Sequence, residues 1–356
     1  MKYSLNEFMR IRLEERPVCD LLLEGRTFRL PDARCLPVLT GIEEPVDRDW
    51  LVARFSRELS RDTDDATEFV DRLVESRILR PADSEHPLMP EVRSWQQYGW
   101  TDALIFHCLT EGRPYSDVLG AQAPEPAGSV LAKRIAQQEV PPFWKHLPVP
   151  YQPLPPALDY PERDLADVLL SRRSHVAWSE QQLTAEQLSR VLRDANAPLL
   201  EMRCAAEQDY RTSPDVLMRN TYGDLETYVV VYDVVGLEPG IYHYAPDRHA
   251  LGLVEAGDFR DRVRTAFVGQ KSAGSGSCSL LISAVWERHM FRYANDPRAY
   301  RTVMTIMGQF AQRYLVAWTA FGFTTFPTPA HHPELTDALL GTDRFEESGI
   351  YLITAG

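Results

Sequence analysis

The sequence predicts an α+β protein with a small separate module at its N-terminus. Short apolar runs of strand type alternate irregularly with amphipathic helical stretches, which argues against a doubly wound parallel sheet. Over residues 1–82 strand-like segments come first and helix-like segments second. A proline-dense stretch over 141–156 then precedes the C-terminal part. The expected division is a module over 1–82, a helical segment and linker over 83–156, and a main domain over 157–356.

In the module, two short apolar runs between Cys19 and Leu30 flank Glu24-Gly25, a hairpin signal. Helical spacing follows in Trp50, Leu51 and Phe55, and again in Phe69, Val70, Leu73 and Val74. Asp65 stands three residues before Glu68, which places a helix start there. Strands, then helices, ending at Pro81, is the order of a winged-helix unit. It resembles the peptide-binding module of pyrroloquinoline-biosynthesis type, which captures peptides by strand addition. The alternative is a plain helical hairpin that only packs on its neighbour.

Trp95, Trp100, Leu104, Ile105 and Leu109 mark a further helical segment. The run Pro141–Pro156 is too rich in proline for helix or central sheet and reads as an extended linker. Beyond it, Leu165–Ser174 reads as a helix ending in a basic turn. Leu183–Leu192 reads as a second helix with Leu188, Val191, Leu192 and Ala195 on one face. Strands are expected over Thr227–Val235, Gly240–Tyr244, Leu280–Trp286 and Ile350–Thr354. Arg301–Phe321 reads as one long helix, apolar nearly all round and hence buried on more than one side.

Several function classes are disfavoured. A net charge of -13 argues against nucleic acid as partner. The five cysteines are dispersed and build neither a zinc spacing nor a disulfide framework, as expected of a reducing compartment. No apolar run is long enough for a membrane span, and the N-terminus has no signal-peptide core, so a cytoplasmic location is expected. Gly274–Ser279 half-matches a dinucleotide loop but precedes a strand and opens no helix. His331-His332 lacks the partners of a metal site, and no hydrolase elbow or phosphate-binding loop occurs.

The informative blocks lie in the C-terminal half. Ser171-Arg-Arg-Ser174, followed by Gln182-Leu-Thr-Ala-Glu-Gln-Leu188, resembles the opening of the nitroreductase superfamily. Arg211-Thr-Ser-Pro214 before Glu226-Thr-Tyr-Val229, then Gly236-Leu-Glu-Pro-Gly-Ile-Tyr-His-Tyr244 with His249, resembles its SagB-type or McbC-like dehydrogenases. Trp286–Tyr293, the helix carrying Gly308 and Gln312, and Ile350–Gly356 continue the likeness, which begins near residue 90.

The resemblance implies a nitroreductase-like fold and an FMN-dependent azoline dehydrogenase. Such an enzyme oxidises thiazoline or oxazoline rings of a peptide in natural-product biosynthesis. Arg172, Arg173, Ser174, Arg211, Ser213, Pro214 and Gln312 are the implied FMN ligands, since guanidinium and hydroxyl groups suit a phosphate and ribityl chain. Arg292 and Tyr293 are the implied catalytic pair. Arginine stays protonated, so Tyr293 is expected to take the substrate proton while Arg292 supports the charge developing on its oxygen. A homodimer, a leader- or carrier-bound peptide and a cyclodehydratase are the implied partners. Other FMN-dependent reductases or oxidases, and a flavin-poor scaffold subunit, are the alternatives. The sequence departs from the family pattern at Val176, where a second arginine is expected, and at Asp215–Met218, where small residues stand. It departs again at Arg292, in place of lysine, and at Arg313, in place of asparagine.

Overall fold

The computed structural model describes residues 1–111, 125, 127–174 and 177–356. By its contacts the chain divides into two compact units, Met1–Pro114 and Tyr115–Gly356.

The first unit contains β1 (Lys2–Leu5), β2 (Met9–Arg12), β3 (Val18–Leu21), β4 (Arg26–Arg29), α1 (Cys35–Thr40), β5 (Val46–Asp47), α2 (Arg48–Leu59), α3 (Thr63–Glu75), β6 (Leu79–Pro81), α4 (Met89–Gln97) and α5 (Thr101–Thr110). Its strands form two antiparallel sheets, ordered β5-β1-β6 and β2-β3-β4. The β3–β4 hairpin turns at Gly25, whose φ of 61° suits glycine. Leu51, Phe55, Val70 and Leu73 close the core beneath α2 and α3, where Phe55 and Phe69 meet edge to face at 5.1 Å. Helix α3 starts earlier than the Asp65–Glu68 spacing suggests. Asp62 is the cap, accepting from the Asp65 N–H at 2.8 Å, because its own backbone is extended and free to turn. The helices α4 and α5 share a core with Phe8 and Leu22 and so belong to this unit.

The second unit contains α6 (Ala127–Gln137), β7 (Tyr151–Pro153), α7 (Leu165–Ser171), β8 (Leu183–Thr184), α8 (Ala185–Asp209), α9 (Val216–Arg219), β9 (Leu225–Val231), β10 (Val234–Val235), β11 (Gly240–Ala245), β12 (Ala250–Ala256), α10 (Arg260–Ala266), β13 (Cys278–Val285), α11 (Trp286–Arg292), α12 (Ala299–Ala320), β14 (Thr325–Thr328), α13 (Pro333–Leu340) and β15 (Glu347–Ala355). Seven strands form one antiparallel sheet in the order β14-β15-β13-β9-β11-β12-β7. Strand β9 is covered on both sides. Val229 and Val231 face a core shared with α8 and α12, while Tyr228 and Val230 face one shared with α10 and α13. Cover on both faces explains why its sequence is a continuous apolar run rather than an alternating one.

The proline-rich stretch is extended, as expected, but it is packed rather than a free linker. Tyr151–Pro153 pairs with β12 as the outermost strand, an edge position where a missing proline N–H costs nothing. The Pro142 carbonyl accepts from Arg288 Nε at 2.7 Å, and Lys145 Nζ reaches the Tyr228 hydroxyl at 2.6 Å.

Helix α8 opens with a capping box, Thr184 and Gln187 bonding each other's backbone N–H. It runs through Pro198, whose ring leaves the Asp194 carbonyl without its helical donor. Arg313 of α12 supplies that bond, donating through Nη2 to Asp194 O and through Nε to Ala195 O, each at 2.9 Å. Helix α12 is not apolar all round. Val303, Phe310, Tyr314 and Trp318 are buried, but Arg301, Thr305, Gly308, Gln309 and Gln312 form an exposed stripe.

Candidate active site

Strand β13 passes directly into α11, so Trp286, expected at the strand's end, is the first residue of the helix instead. The helix ends at Tyr293, and Asn295 with a φ of 64° turns the chain toward Pro297 and α12. Between these elements lies a cavity of about 630 Å³, walled by Trp286, Met290, Tyr293, Tyr300, Met304 and Ile350. Trp286 stacks on Tyr300 with ring centroids 5.5 Å apart and planes 6° from parallel, and its Nε1 donates to Ser348 Oγ at 2.8 Å. The walls are apolar and aromatic with few polar groups, the usual make-up of a small-molecule pocket.

Tyr293 is half-buried on this wall, and its hydroxyl makes no hydrogen bond among the described residues. Its ring sits 4.9 Å from that of His289 and 5.1 Å from the guanidinium carbon of Arg292. The contact between Arg292 and Tyr293 is with the ring rather than with the phenol oxygen. Arg292 is buried, lies across the ring face, and is ion-paired through Nη2 with Asp224. Nη1 donates to Leu217 O at 3.3 Å. A guanidinium already neutralised by a carboxylate holds the end of α11 and has little charge left to offer.

Asp224, just before β9, also receives His289 Nδ1 at 2.6 Å, while His289 Nε2 meets the Ala299 carbonyl at 2.7 Å. Through these two contacts His289 ties α11 to α12. A second buried cluster lies beside it. Glu226 accepts from Arg203 of α8 at 3.0 Å and from Arg288 of α11 at 2.5 Å, with His243 Nε2 at 3.5 Å. Burial by itself pushes the Glu226 carboxyl up, but the two guanidiniums and His243 outweigh it and hold it well below the usual range. Tyr228 is pushed up by burial and by Glu347 and Glu226, so its hydroxyl stays protonated and donates to Glu347 at 3.1 Å.

The implied cofactor ligands are dispersed in this chain. Arg172 and Ser174 are adjacent, Nη1 to Oγ at 3.4 Å, and Ser174 pairs with Thr325 at the start of β14. Arg173 bonds the carbonyls of Leu170 and Arg172. Arg211 is exposed against Tyr210, donating to its hydroxyl at 2.7 Å. None of these arginines has an acidic partner among the described residues, which leaves their charge available to a phosphate. Ser213 is different: its hydroxyl donates to Asp215 at 2.8 Å, and Pro214 follows in the same turn. Gln312 is on the open stripe of α12. No hydrogen bond, ion pair or ring contact among the described residues joins these groups to Tyr293. Val176 lies outside the described residues.

His289, with Tyr300, was the alternative to Tyr293 as base, whereas Asp224, Glu226, Arg203 and Arg288 went unflagged as site residues. Their signal is the pair of acids entering the apolar strand β9, matched by Glu-Arg-His at the end of β13. His249 is a structural tie. It bonds Tyr244 and Ser189, each at 2.8 Å, and burial with Arg193 nearby lowers its proton affinity.

The chain is 28% identical over 370 residues to the trifolitoxin operon protein TfxC of Rhizobium leguminosarum bv. trifolii, covering 99% of both chains. It is 31% identical over 174 residues to a Methanocaldococcus jannaschii protein that bears the nitroreductase name, 49% of this chain and 82% of that one. A chain of the E. coli microcin synthetase McbBCD complex, solved with truncated pro-MccB17 bound, aligns at a TM-score of 0.40 and 14% identity, covering 77% of this chain and 98% of that one. The nitroreductase family model matches residues 169–356, which include the whole sheet except its outermost strand β7. With more than half its length matched, the chain belongs to the nitroreductase family.

Proposed function

We propose that this chain is an FMN-dependent oxidoreductase that oxidises azoline rings in a peptide. The observation that carries the proposal is the position of Tyr293, on the wall of an apolar cavity with its hydroxyl uncommitted. End-to-end similarity to a trifolitoxin operon protein supports a peptide as substrate.

Arg172, Arg173 and Ser174 fit a phosphate group, being cationic and hydroxyl donors free of acidic partners, and Arg211 would add a further cation. When bound, FMN supplies the hydride acceptor. The aromatic walls formed by Trp286 and Tyr300 would hold a flat five-membered ring and exclude water from it. Tyr293 Oη would take the acidic proton beside the ring's imine. Asp224, through Arg292 and His289, would fix Tyr293 at the end of α11. Strand addition to the winged-helix-like N-terminal unit would deliver the peptide.

Asp215, a carboxylate that occupies the Ser213 hydroxyl, favours a second reading, a flavin-poor scaffold subunit. The absorbance spectrum of protein purified from riboflavin-fed cells separates the two. Flavin bands, lost in Arg172→Ala/Ser174→Ala, support the oxidoreductase; colourless wild-type protein rejects it.

A further inference from the structure

We propose that the groove between β4 and α3 of the N-terminal unit docks an extended acidic peptide, whose carboxylates are the recognised groups. The inference rests on the reading that this unit captures peptide, and it specifies which peptide. The groove encloses about 670 Å³. Its floor is formed by the buried side chains Leu30, Phe69 and Leu73. Around this floor stand Arg16, Arg26, Arg29, Arg61 and Arg72, against the single acid Glu75. That balance is the reverse of the whole chain, which carries 51 acidic and 38 basic residues.

The arginines are largely unspent. Arg29 meets Glu14 only at 3.7 Å and Arg72 meets Glu68 at 3.4 Å, both on the surface, where such pairs are weak and easily exchanged. Arg16, Arg26 and Arg61 have no ion pair among the described residues, and Arg61 rests 5.8 Å from the Phe69 ring. Like charges gathered on one surface repel each other, and the repulsion is relieved when an anion enters. A guanidinium fork matches a carboxylate in two hydrogen bonds, so a peptide acid suits these groups.

Strand β4 lines the same groove and is one of the two outer strands of the β2-β3-β4 sheet. An exposed edge is a template for one more strand, and arginines along it discourage pairing with another copy of itself. A strand bearing carboxylates would meet opposite charge instead. Its alternate residues lie about 7 Å apart on one face, so acids could reach the arginines while apolar side chains turn to the floor. The surrounding negative charge repels an acidic peptide elsewhere, which focuses it on this groove.

The test uses the full chain and a short fluorescein-labelled peptide alternating glutamate and leucine, with a glutamine–leucine counterpart. Fluorescence anisotropy should show binding of the glutamate peptide that weakens steeply with salt, and the glutamine peptide should bind about tenfold or more weakly. Arg16→Gln/Arg26→Gln/Arg61→Gln removes two exposed charges and the half-buried one beside Phe69 while leaving the apolar floor intact, so it should stay folded with a cooperative melting curve while losing the preference. If both peptides bind equally and the triple variant binds as wild type, acid recognition is overturned and peptide capture stands. If neither peptide binds, both readings fall. Tighter binding of a single-stranded oligonucleotide than of the glutamate peptide would overturn the proposal in favour of a nucleic-acid ligand.

Discussion

Arg292 and Asp224 form a buried ion pair that fixes the end of α11, the helix that presents Tyr293. Removing one member strands the other charge away from water. Arg292→Ala should therefore lower unfolding free energy by about 3–5 kcal/mol in denaturant titration. Arg292→Lys keeps the charge but loses the second donor to Leu217, and should cost about 1–2 kcal/mol. Equal stability of wild type and Arg292→Ala would show that the pair is not what holds this turn.

Acid stability should show two steps. Burial, with Arg193, lowers the His249 titration below its ordinary 6.5, so the unfolded chain binds that proton more readily. Its contribution is present above pH 6.5 and fades as pH falls below it. Glu226 is likewise held well below 4.5, so its contribution is present above pH 4.5 and fades below that value. Denaturant midpoints measured across pH should decline at both points. Glu226→Gln should remove part of the lower step and, by leaving Arg203 and Arg288 facing each other, cost about 3–5 kcal/mol at neutral pH.

Arg313 replaces a hydrogen bond that Pro198 removes from α8. Arg313→Ala should cost about 1–3 kcal/mol by leaving the Asp194 carbonyl unpaired. In Pro198→Ala the helix supplies its own donor, and the same arginine change should cost measurably less. A double-mutant cycle reads the difference, and strict additivity would refute the coupling.

The open stripe of α12 replaces the apolar-all-round helix as the reason to expect a homodimer. A Cβ at Gly308 would meet nothing within 4 Å, so Gly308→Arg is tolerated within one protomer. Light scattering should report a dimer for wild type and a monomer for Gly308→Arg that keeps the wild-type circular dichroism spectrum. A wild-type monomer at micromolar concentration that retains flavin would contradict the dimer.

Strands β9 and β13 are legible in the sequence because cover on both faces makes each a long apolar run, and β11 and β15 through the shorter stretches Ile241–Tyr244 and Ile350–Ile353. The strands β7, β12 and β14 are not. Pro153 and Pro327 interrupt two of them, and an outer strand tolerates residues that a central one cannot. Tyr293 is singled out in the sequence by the order of motifs alone. The partner of Arg292 is not, because Asp224 lies 68 positions away and nothing local marks a buried acid. Five arginines spread from 16 to 72 likewise read as ordinary surface charge until the fold gathers them.

A peptide carrying a thiazoline ring, incubated with flavin-loaded protein and followed by mass spectrometry, tests the proposed chemistry most directly. Wild type should convert it with loss of two hydrogens. Tyr293→Phe should keep fold, flavin and peptide affinity while turnover falls by about 10² to 10⁴. Turnover by Tyr293→Phe at the wild-type rate would remove Tyr293 from the chemistry. An unchanged peptide mass with flavin-loaded wild type would contradict azoline oxidation itself.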